Sequence, residues 1–411
     1  MNIEIPEKRS CLWKSYFMMC GVISLISWNS VLNLIDYFNN FLSANIFVYI
    51  SFVFCLGTTV SFLIGPFMFE KVSYKKSINI SLIMVVLTFL ATFLMIEYVD
   101  NKELQIYSTL VFIFICGFFG SFFQSKTTGL AVSISNRELV YFNFGTGIAG
   151  FVSNIIAFIF NKLYPYNTSD PSTLTNLTQQ VNLYLILIVV IFLFYFVLDF
   201  VFEKKYKVDS EEKGSNQEHL INNPLESDSE VDTDTKALTS SQIIRRTIDL
   251  LMGLIFQYVI VISLVSYFLA EGYYKFDTKG DSLFTIPAYL FFFNLADAIG
   301  KFLPPRTFIK SSTAIHFWNF IRFSFIIYFM GIIGSDNPPE VLSSEWTRAV
   351  IFFVSGVTNG YFTNCFMGTA ANRFSRPAEK NIAGYFSVLF LLLGISIGSF
   401  MGIVYTADLL A

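Results

Sequence analysis

The sequence predicts an all-α polytopic membrane protein, with eleven transmembrane helices in a 6+5 pseudo-symmetric arrangement. Three observations carry this reading. Hydrophobic residues make up 54% of the 411 positions and charged residues only 14%, against about 25% charged in an ordinary soluble domain. Phe alone fills 49 positions, more than an aqueous surface and its core absorb. The apolar residues fall into blocks of about 20, the helical length that crosses a hydrocarbon layer about 30 Å thick. Membrane strands would instead need alternating segments of about ten residues.

Taken in order, the first span is 13–35. It is too long for a signal peptide and lacks a small-residue cleavage site. Spans 44–69 and 77–98 enclose the basic turn with Lys71, Lys75 and Lys76, and spans 105–126 and 138–161 flank Lys126 and Arg137. Span 181–202 closes the first group. The stretch 203–246 is polar, acidic and poor in aromatics, a composition that need not fold, so it reads as a flexible acidic cytoplasmic loop. Spans 248–270, 283–303, 314–334, 346–370 and 382–406 follow. The chain thus divides into a six-helix bundle over 1–202, the loop over 203–246 and a five-helix bundle over 247–411.

Charge sets the orientation. With the N-terminus in the cytosol, the inside segments hold 21 of the 27 basic residues. The outside segments hold Lys102, Lys162, Lys275 and Lys279, while Arg322 and Arg348 lie within spans. This is the positive-inside bias, and an odd span count puts the C-terminus outside. Two sequons, at Asn167 and Asn176, fall in the 162–180 loop. That loop is then external, where glycosylation takes place.

Several functional classes are excluded. A net charge of −3 with two His does not suit a nucleic-acid binder. The five Cys show neither metal spacing nor a disulfide framework, and His219 and His316 lie too far apart in sequence to suggest a metal site. No nucleophile elbow, phosphate loop or H-E-x-x-H motif occurs. The expectation is therefore no enzyme, no cofactor, no metal and no ATP-driven pump. A channel would need a pore loop or a symmetric oligomer, so a secondary carrier or facilitator is the leading class.

Gly145-Thr-Gly147-Ile-Ala-Gly150 matches the dinucleotide fingerprint but lacks its βαβ setting. Inside a span, such small residues let helices approach closely. Gly394, Gly398 and Gly402 form a similar face in the last span.

Polar groups within spans mark pathways, sites or structural partners. Asp297 lies six residues before the end of span eight, about 9 Å below the cytoplasmic end. Lys301 shares its helix face, and Arg322 enters span nine to a similar depth, so Asp297 and Arg322 can pair across two helices. Two readings stand: a structural ion pair, or a polar site that accepts substrate hydroxyls. Trp28 and Asn29 sit in the middle of span one, with Asn33 one turn on. A flat π surface beside an amide can stack on and read a planar heterocycle; core packing is the alternative. Gln124 closes span four, while Asn154, Asn359 and Asn364 are weaker candidates of the same kind.

These residues resemble the equilibrative nucleoside transporter family. The likeness covers roughly 13–203 and 247–406. It rests on Trp28-Asn29, on Gly120 and Gln124 followed by the Gly145–Gly150 run, and on Phe293-Asn294-Leu-Ala-Asp297-Ala-Ile-Gly300. Arg322-Phe323, Asn359-Gly360-Tyr361 and Arg376-Pro-Ala-Glu379 continuing through Ala383-Gly384, Leu393-Gly394 and Gly398-Ser399 extend it. The resemblance implies the same eleven-span plan and alternating access, with a substrate site between the halves near the bilayer middle.

It further implies substrate contacts at Trp28, Asn29, Gln124, Asp297, Lys301 and Arg322. Gating or helix-packing roles are implied for Gly145, Gly150, Asn359, Gly394 and Gly398. One position departs: the family usually carries Arg where this chain has Lys301, which loses the planar two-pronged donor and shifts the expectation toward nucleobases or a narrower set of nucleosides.

The expected function is facilitative transport of nucleosides, and of nucleobases as a further substrate class. The alternatives are a proton-coupled symporter and, more remotely, a major-facilitator carrier of another small solute. The odd span count and GPFMFEKVSYKKS after span two, which lacks the major-facilitator loop pattern, disfavour the last. The expected partners are a purine or pyrimidine nucleoside or nucleobase and the lipid bilayer, most simply that of the plasma membrane, with a single chain as the working unit and no nucleic-acid polymer.

Overall fold

The computed structural model describes residues 11–42, 46–68, 74–165, 174–212, 238–267, 286–303, 305–335 and 337–407, and these are almost wholly helical. The first part comprises α1 (Cys11–Asn33), the short α2 (Ile35–Phe41), α3 (Ile46–Met68), α4 (Tyr74–Tyr98), α5 (Lys102–Ile134), α6 (Asn136–Leu163) and α7 (Leu174–Glu212). The second comprises α8 (Ser240–Tyr267), α9 (Ile286–Phe302), α10 (Ser312–Ile321), α11 (Phe323–Gly334), the single turn α12 (Glu340–Ser343), α13 (Glu345–Ala371) and α14 (Pro377–Ala407).

Helix limits follow local chemistry. Asn101 caps α5 by accepting the Leu104 N–H, and Ser135 caps α6 from an extended backbone. Ser311 and Ser344 do the same for α10 and α13. Each satisfies a donor that the first helical turn leaves orphaned.

Eight helices among the described residues are long and apolar enough to cross a membrane. Three further expected spans coincide with α3, α9 and α13. A shorter apolar stretch, Tyr49–Ser61, lies in α3, α9 has 17 residues, and α13 is diluted by Asn, Thr and Gly. Large apolar side chains stay exposed on α7, at Val190, Leu193, Val197 and Phe200. A stripe of that kind suits hydrocarbon rather than water. The chain is an integral membrane protein.

Two boundaries differ from expectation. α7 continues to Glu212, ten residues into the stretch read as a loop, because Glu-Lys-Lys-Tyr-Lys is a good helix former. The stretch expected as the ninth span, Ser312–Gly334, has a span's length and apolarity but is divided at Arg322 into α10 and α11. The remainder of the acidic loop, 213–237, and the sequon at Asn167 lie outside the described residues. Asn176 stands in the first turn of α7, where its amide donates to the Pro165 carbonyl at 2.6 Å.

The helices pack in a definite order. α1 lies along α6, and α5 along both α3 and α4. α8 lies along α14, and α9 along α13. The two parts of the chain meet where α6 crosses α9 and where α14 crosses α5 and α3. Small residues mark these crossings. Gly145 and Gly21 bring α6 against α1, with no room for a side chain at either. A methyl group at Gly147 would stand 2.6 Å from Ala298 Cα on α9, and one at Gly150 would meet the Asn294 amide at 2.9 Å. Gly394 and Gly398 bring α14 against α8 in the same way.

Candidate functional site

The close approach of α9 and α13 builds the polar centre. Gly300 lies against the backbone of Val357 and Gly360 against that of Asp297, so the two helices touch main chain to main chain. At that distance Asn359 reaches across and donates to Asp297 Oδ1 at 2.8 Å. The other carboxylate oxygen lies 2.6 Å from Lys301 Nζ, one turn along the same helix. Both residues are only 6% exposed, so the pair is desolvated and each charge depends on the other.

The Gly147–Ala298 crossing then brings α6 within reach, and Lys301 Nζ donates to Thr146 Oγ1 at 3.0 Å. The centre therefore spans both parts of the chain. It continues below Lys301, whose carbonyl accepts from the Asn364 amide at 2.7 Å, while Asn143 of α6 donates to Asn364 Oδ1 at 2.7 Å. On the α8 side, Gln257 donates to the Asn359 carbonyl and to the Thr363 hydroxyl, each at 2.8 Å.

Arg322 is buried, at 2% exposure, but it does not pair with Asp297, against the sequence expectation. Its Nε donates to Thr358 Oγ1 at 3.1 Å and its Nη1 to Asn319 Oδ1 at 3.2 Å, and its guanidinium lies 5.9 Å from the Phe362 ring centre. The reason is geometric. Thr358 meets Arg322 and Asn359 meets Asp297, and consecutive helical residues point about 100° apart. The two charges therefore address different faces of α13.

Trp28 and Gln124 lie elsewhere, on α1 and α5. Trp28 is half-buried and stacks on Phe54 of α3, with ring centres 4.1 Å apart and planes at 18°. With Ser24, Ser27, Gly120 and Phe123 it lines a small cleft between α1, α3 and α5. Asn29 spends its amide on the Leu25 carbonyl of its own helix, at 2.9 Å. Asn33 donates to Ser153 of α6 at 2.8 Å. The Gln124 side chain is buried at 7% exposure and has no hydrogen-bond partner among the described residues.

Sequence reasoning did not single out Thr146, Gln257 or Asn143. Gln257 stands alone among apolar residues in span seven and carried the same signal as Asn359. Thr146 was screened by the glycines around it.

Buried charges and amides shared between helices of an apolar-faced bundle suit the polar pathway of a membrane transporter. Sequence similarity identifies the family. The sequence model described as "Nucleoside transporter" matches residues 109–407. The chain belongs to this family, the equilibrative nucleoside transporters. Among its relatives are equilibrative nucleotide transporter 4 of Arabidopsis thaliana, 25% identical over 97% of this chain and 95% of that one. Equilibrative nucleotide transporter 5 of the same plant is 23% identical over 97% and 96%.

Among solved structures, a bacterial homologue of the iron transporter ferroportin in an outward-facing state matches with a TM-score of 0.62. It is 12% identical and covers 97% of this chain and 96% of its own. The major facilitator superfamily proton:xylose symporter XylE matches with a TM-score of 0.62 at 11% identity, over 97% and 94%. The major-facilitator architecture is thus shared at the level of fold, although the sequence lacks that superfamily's loop pattern.

Proposed function

We propose that the protein is a facilitative carrier of nucleosides, with nucleobases as a further substrate class, working by alternating access. The substrate lies between a six-span and a five-span bundle. What supports the bundle division is the recurrence of packing partners. The pairing of α1 with α6 in the first part corresponds to that of α8 with α14 in the second, and α3 with α5 to α9 with α13. The division implies eleven crossings with the termini on opposite sides, and the excess of basic residues in the segments on the N-terminal side puts the N-terminus inside.

One observation carries the site: a buried Asp297–Lys301 pair whose ammonium is also bonded to α6 across the bundle boundary. A carboxylate has about four acceptor positions. Lys301 and Asn359 use two, leaving capacity for ribose hydroxyls. Lys301 and Thr146 offer further polar groups, and Trp28 with the free Gln124 amide offers a stacking face and a hydrogen-bonding edge for the base. Arg322 acts through Thr358 and Asn319 by holding α13 in place. The internal ammonium already neutralises Asp297, which supports uniport over proton coupling.

The test is uptake of a panel of radiolabelled nucleosides and nucleobases into proteoliposomes, with and without an imposed pH gradient. Saturable uptake and counterflow of nucleosides without a gradient is the expected result. Accumulation that requires the gradient would replace uniport by symport.

A further inference from the structure

A second polar space lies at the end of the bundle that carries the α5–α6 turn, and it shares no lining residue with the Asp297 centre. It is a cavity of about 560 Å³, and Arg137, Arg306 and Lys380 all line it, with Ser135, Asn136 and Asn372. Arg137 comes from the first part of the chain, Arg306 and Lys380 from the second.

None of these three cations makes an ion pair with a carboxylate among the described residues. Neighbouring charges behave differently. Arg373, next to Asn372, is gripped by Asp249 through both oxygens, at 2.5 and 2.6 Å. The carboxylates nearest in sequence are turned to other tasks: Glu138 is buried and accepts from the Ser135 hydroxyl, and Glu379 is buried and accepts the Leu238 N–H at 3.3 Å.

Three like charges around one space repel one another until an anion joins them. The wall adds further anion chemistry. The 28-residue helix α6 begins at Asn136, so the positive end of its dipole faces the cavity. Asn136 donates to Asn372 Oδ1 at 3.1 Å, and the Asn372 amide has its own donors left without a partner among the described residues.

We propose that this cavity is a binding site for a phosphate group carried on a larger body. Two guanidinium forks, an ammonium and amide donors suit several anionic oxygens at once. The volume falls in the range of about 300–1,000 Å³ typical of small-molecule sites, more than inorganic phosphate fills. Because its ligands come from both parts of the chain and the Asn136–Asn372 bond already joins them there, the occupant clamps that end shut. The charge distribution makes it the cytosolic end. The clamp's effect on transport rests on the carrier reading above, but binding itself does not. The phosphate belongs to a soluble nucleotide or to a lipid headgroup. Phosphoryl transfer onto an imported nucleoside yields the former.

The experiment uses purified full-length protein in phosphatidylcholine nanodiscs. Thermal stability and titration calorimetry are read with AMP, ATP or inorganic phosphate, against chloride at matched ionic strength. Parallel nanodiscs contain phosphatidic acid and no soluble phosphate. Nucleoside binding is measured on the same samples, so failure of the carrier reading is seen separately. The expected result is saturable stabilisation by AMP or ATP. R137Q and R306Q, at exposed positions that tolerate substitution, should each weaken it about tenfold or more, and K380Q is a further check. Stabilisation only in phosphatidic acid discs, lost in R137Q, assigns the same site to a lipid headgroup. No response to any phosphate probe, or an unchanged response in both arginine variants, overturns the proposal.

Discussion

Lys301 lies 2.6 Å from Asp297 on the same helix, and this ion pair is buried with each partner only 6% exposed. The pairing runs along α9 rather than across to Arg322, so the carboxylate keeps its charge balance without help from the ninth span. Replacing Asp297 by Asn leaves the side chain's size but removes the charge, stranding the Lys301 ammonium. If Asp297 receives ribose hydroxyls, D297N reaches the membrane, loses nucleoside binding by at least about tenfold and loses nucleobase binding less. A charged hydrogen bond is worth roughly 1.5–3 kcal/mol. Equal losses for both ligands, with a lowered melting temperature, would assign the pair to holding the bundle together.

Lys301 joins two helices, so its substitutions separate charge from geometry. K301R keeps the charge and supplies a planar fork that reaches Asp297 and Thr146 together. Transport in K301R should stay intact, with nucleoside affinity equal or higher. K301A leaves Asp297 with Asn359 alone, and breaking a buried pair costs on the order of 3–5 kcal/mol. The melting temperature of K301A should therefore fall well below that of K301R. If the two variants prove equally stable, the ion pair does not secure α9.

Trp28 rests on Phe54 at 4.1 Å, so the indole is positioned from α3. W28A should weaken uptake at low substrate concentration while surface expression stays near wild type. F54A, which removes the supporting ring and leaves Trp28 in place, should produce a smaller loss in the same direction. Uptake kinetics beside surface biotinylation read both effects. Loss of folded protein with normal affinity in what remains would make Trp28 a packing residue.

Much of this fold is legible in sequence because a bilayer imposes few solutions. The long apolar blocks over 105–126 and 138–161 become α5 and α6, and the Phe293–Gly300 signature becomes a helix whose Asn294, Asp297 and Gly300 each meet a different neighbour. Burial of Asp297 and Arg322 follows from their depth. Their partners do not, because partner choice depends on how α13 is rotated, and one residue on a helix changes direction by about 100°. The break at Arg322 was equally hidden, since its flanks, Trp-Asn-Phe-Ile and Phe-Ser-Phe-Ile, are apolar enough for one continuous span.

Native cysteines allow a test of orientation with little engineering. Cys11 is exposed at the start of α1, while Cys20, Cys55, Cys116 and Cys365 are buried. With the N-terminus in the cytosol, a membrane-impermeant maleimide should leave Cys11 unlabelled in intact cells and label it in inside-out vesicles. Single cysteines introduced at 170 and 409 should show the reverse pattern, and one at 225 should follow Cys11. Labelling of 225 from outside would invert the topology.

Glycines at the helix crossings have no space for a side chain while Gly331, away from any crossing, has ample space, and this gives a graded stability test. A methyl group at Gly145 collides with the Met18 carbonyl of α1, and one at Gly147 meets Ala298 Cα at 2.6 Å, both contacts being to backbone that cannot swing away. At Gly331 of α11 nothing lies within 4 Å of the same methyl group. G331A should thus leave stability unchanged or raise it by up to about 1 kcal/mol, as alanine loses less backbone freedom in a helix. G145A should force α1 off α6 and cost about 1–3 kcal/mol, the usual range for overpacking, visible as a lower melting temperature by fluorescence-detected size exclusion. G147A acts on the crossing that brings Thr146 to Lys301, so it should disturb transport as well as stability, whereas G145A perturbs the packing of α6 on α1. If G147A lowers the melting temperature and leaves nucleoside uptake untouched, the α6–α9 crossing is a structural joint alone and the site must be sought on other helices.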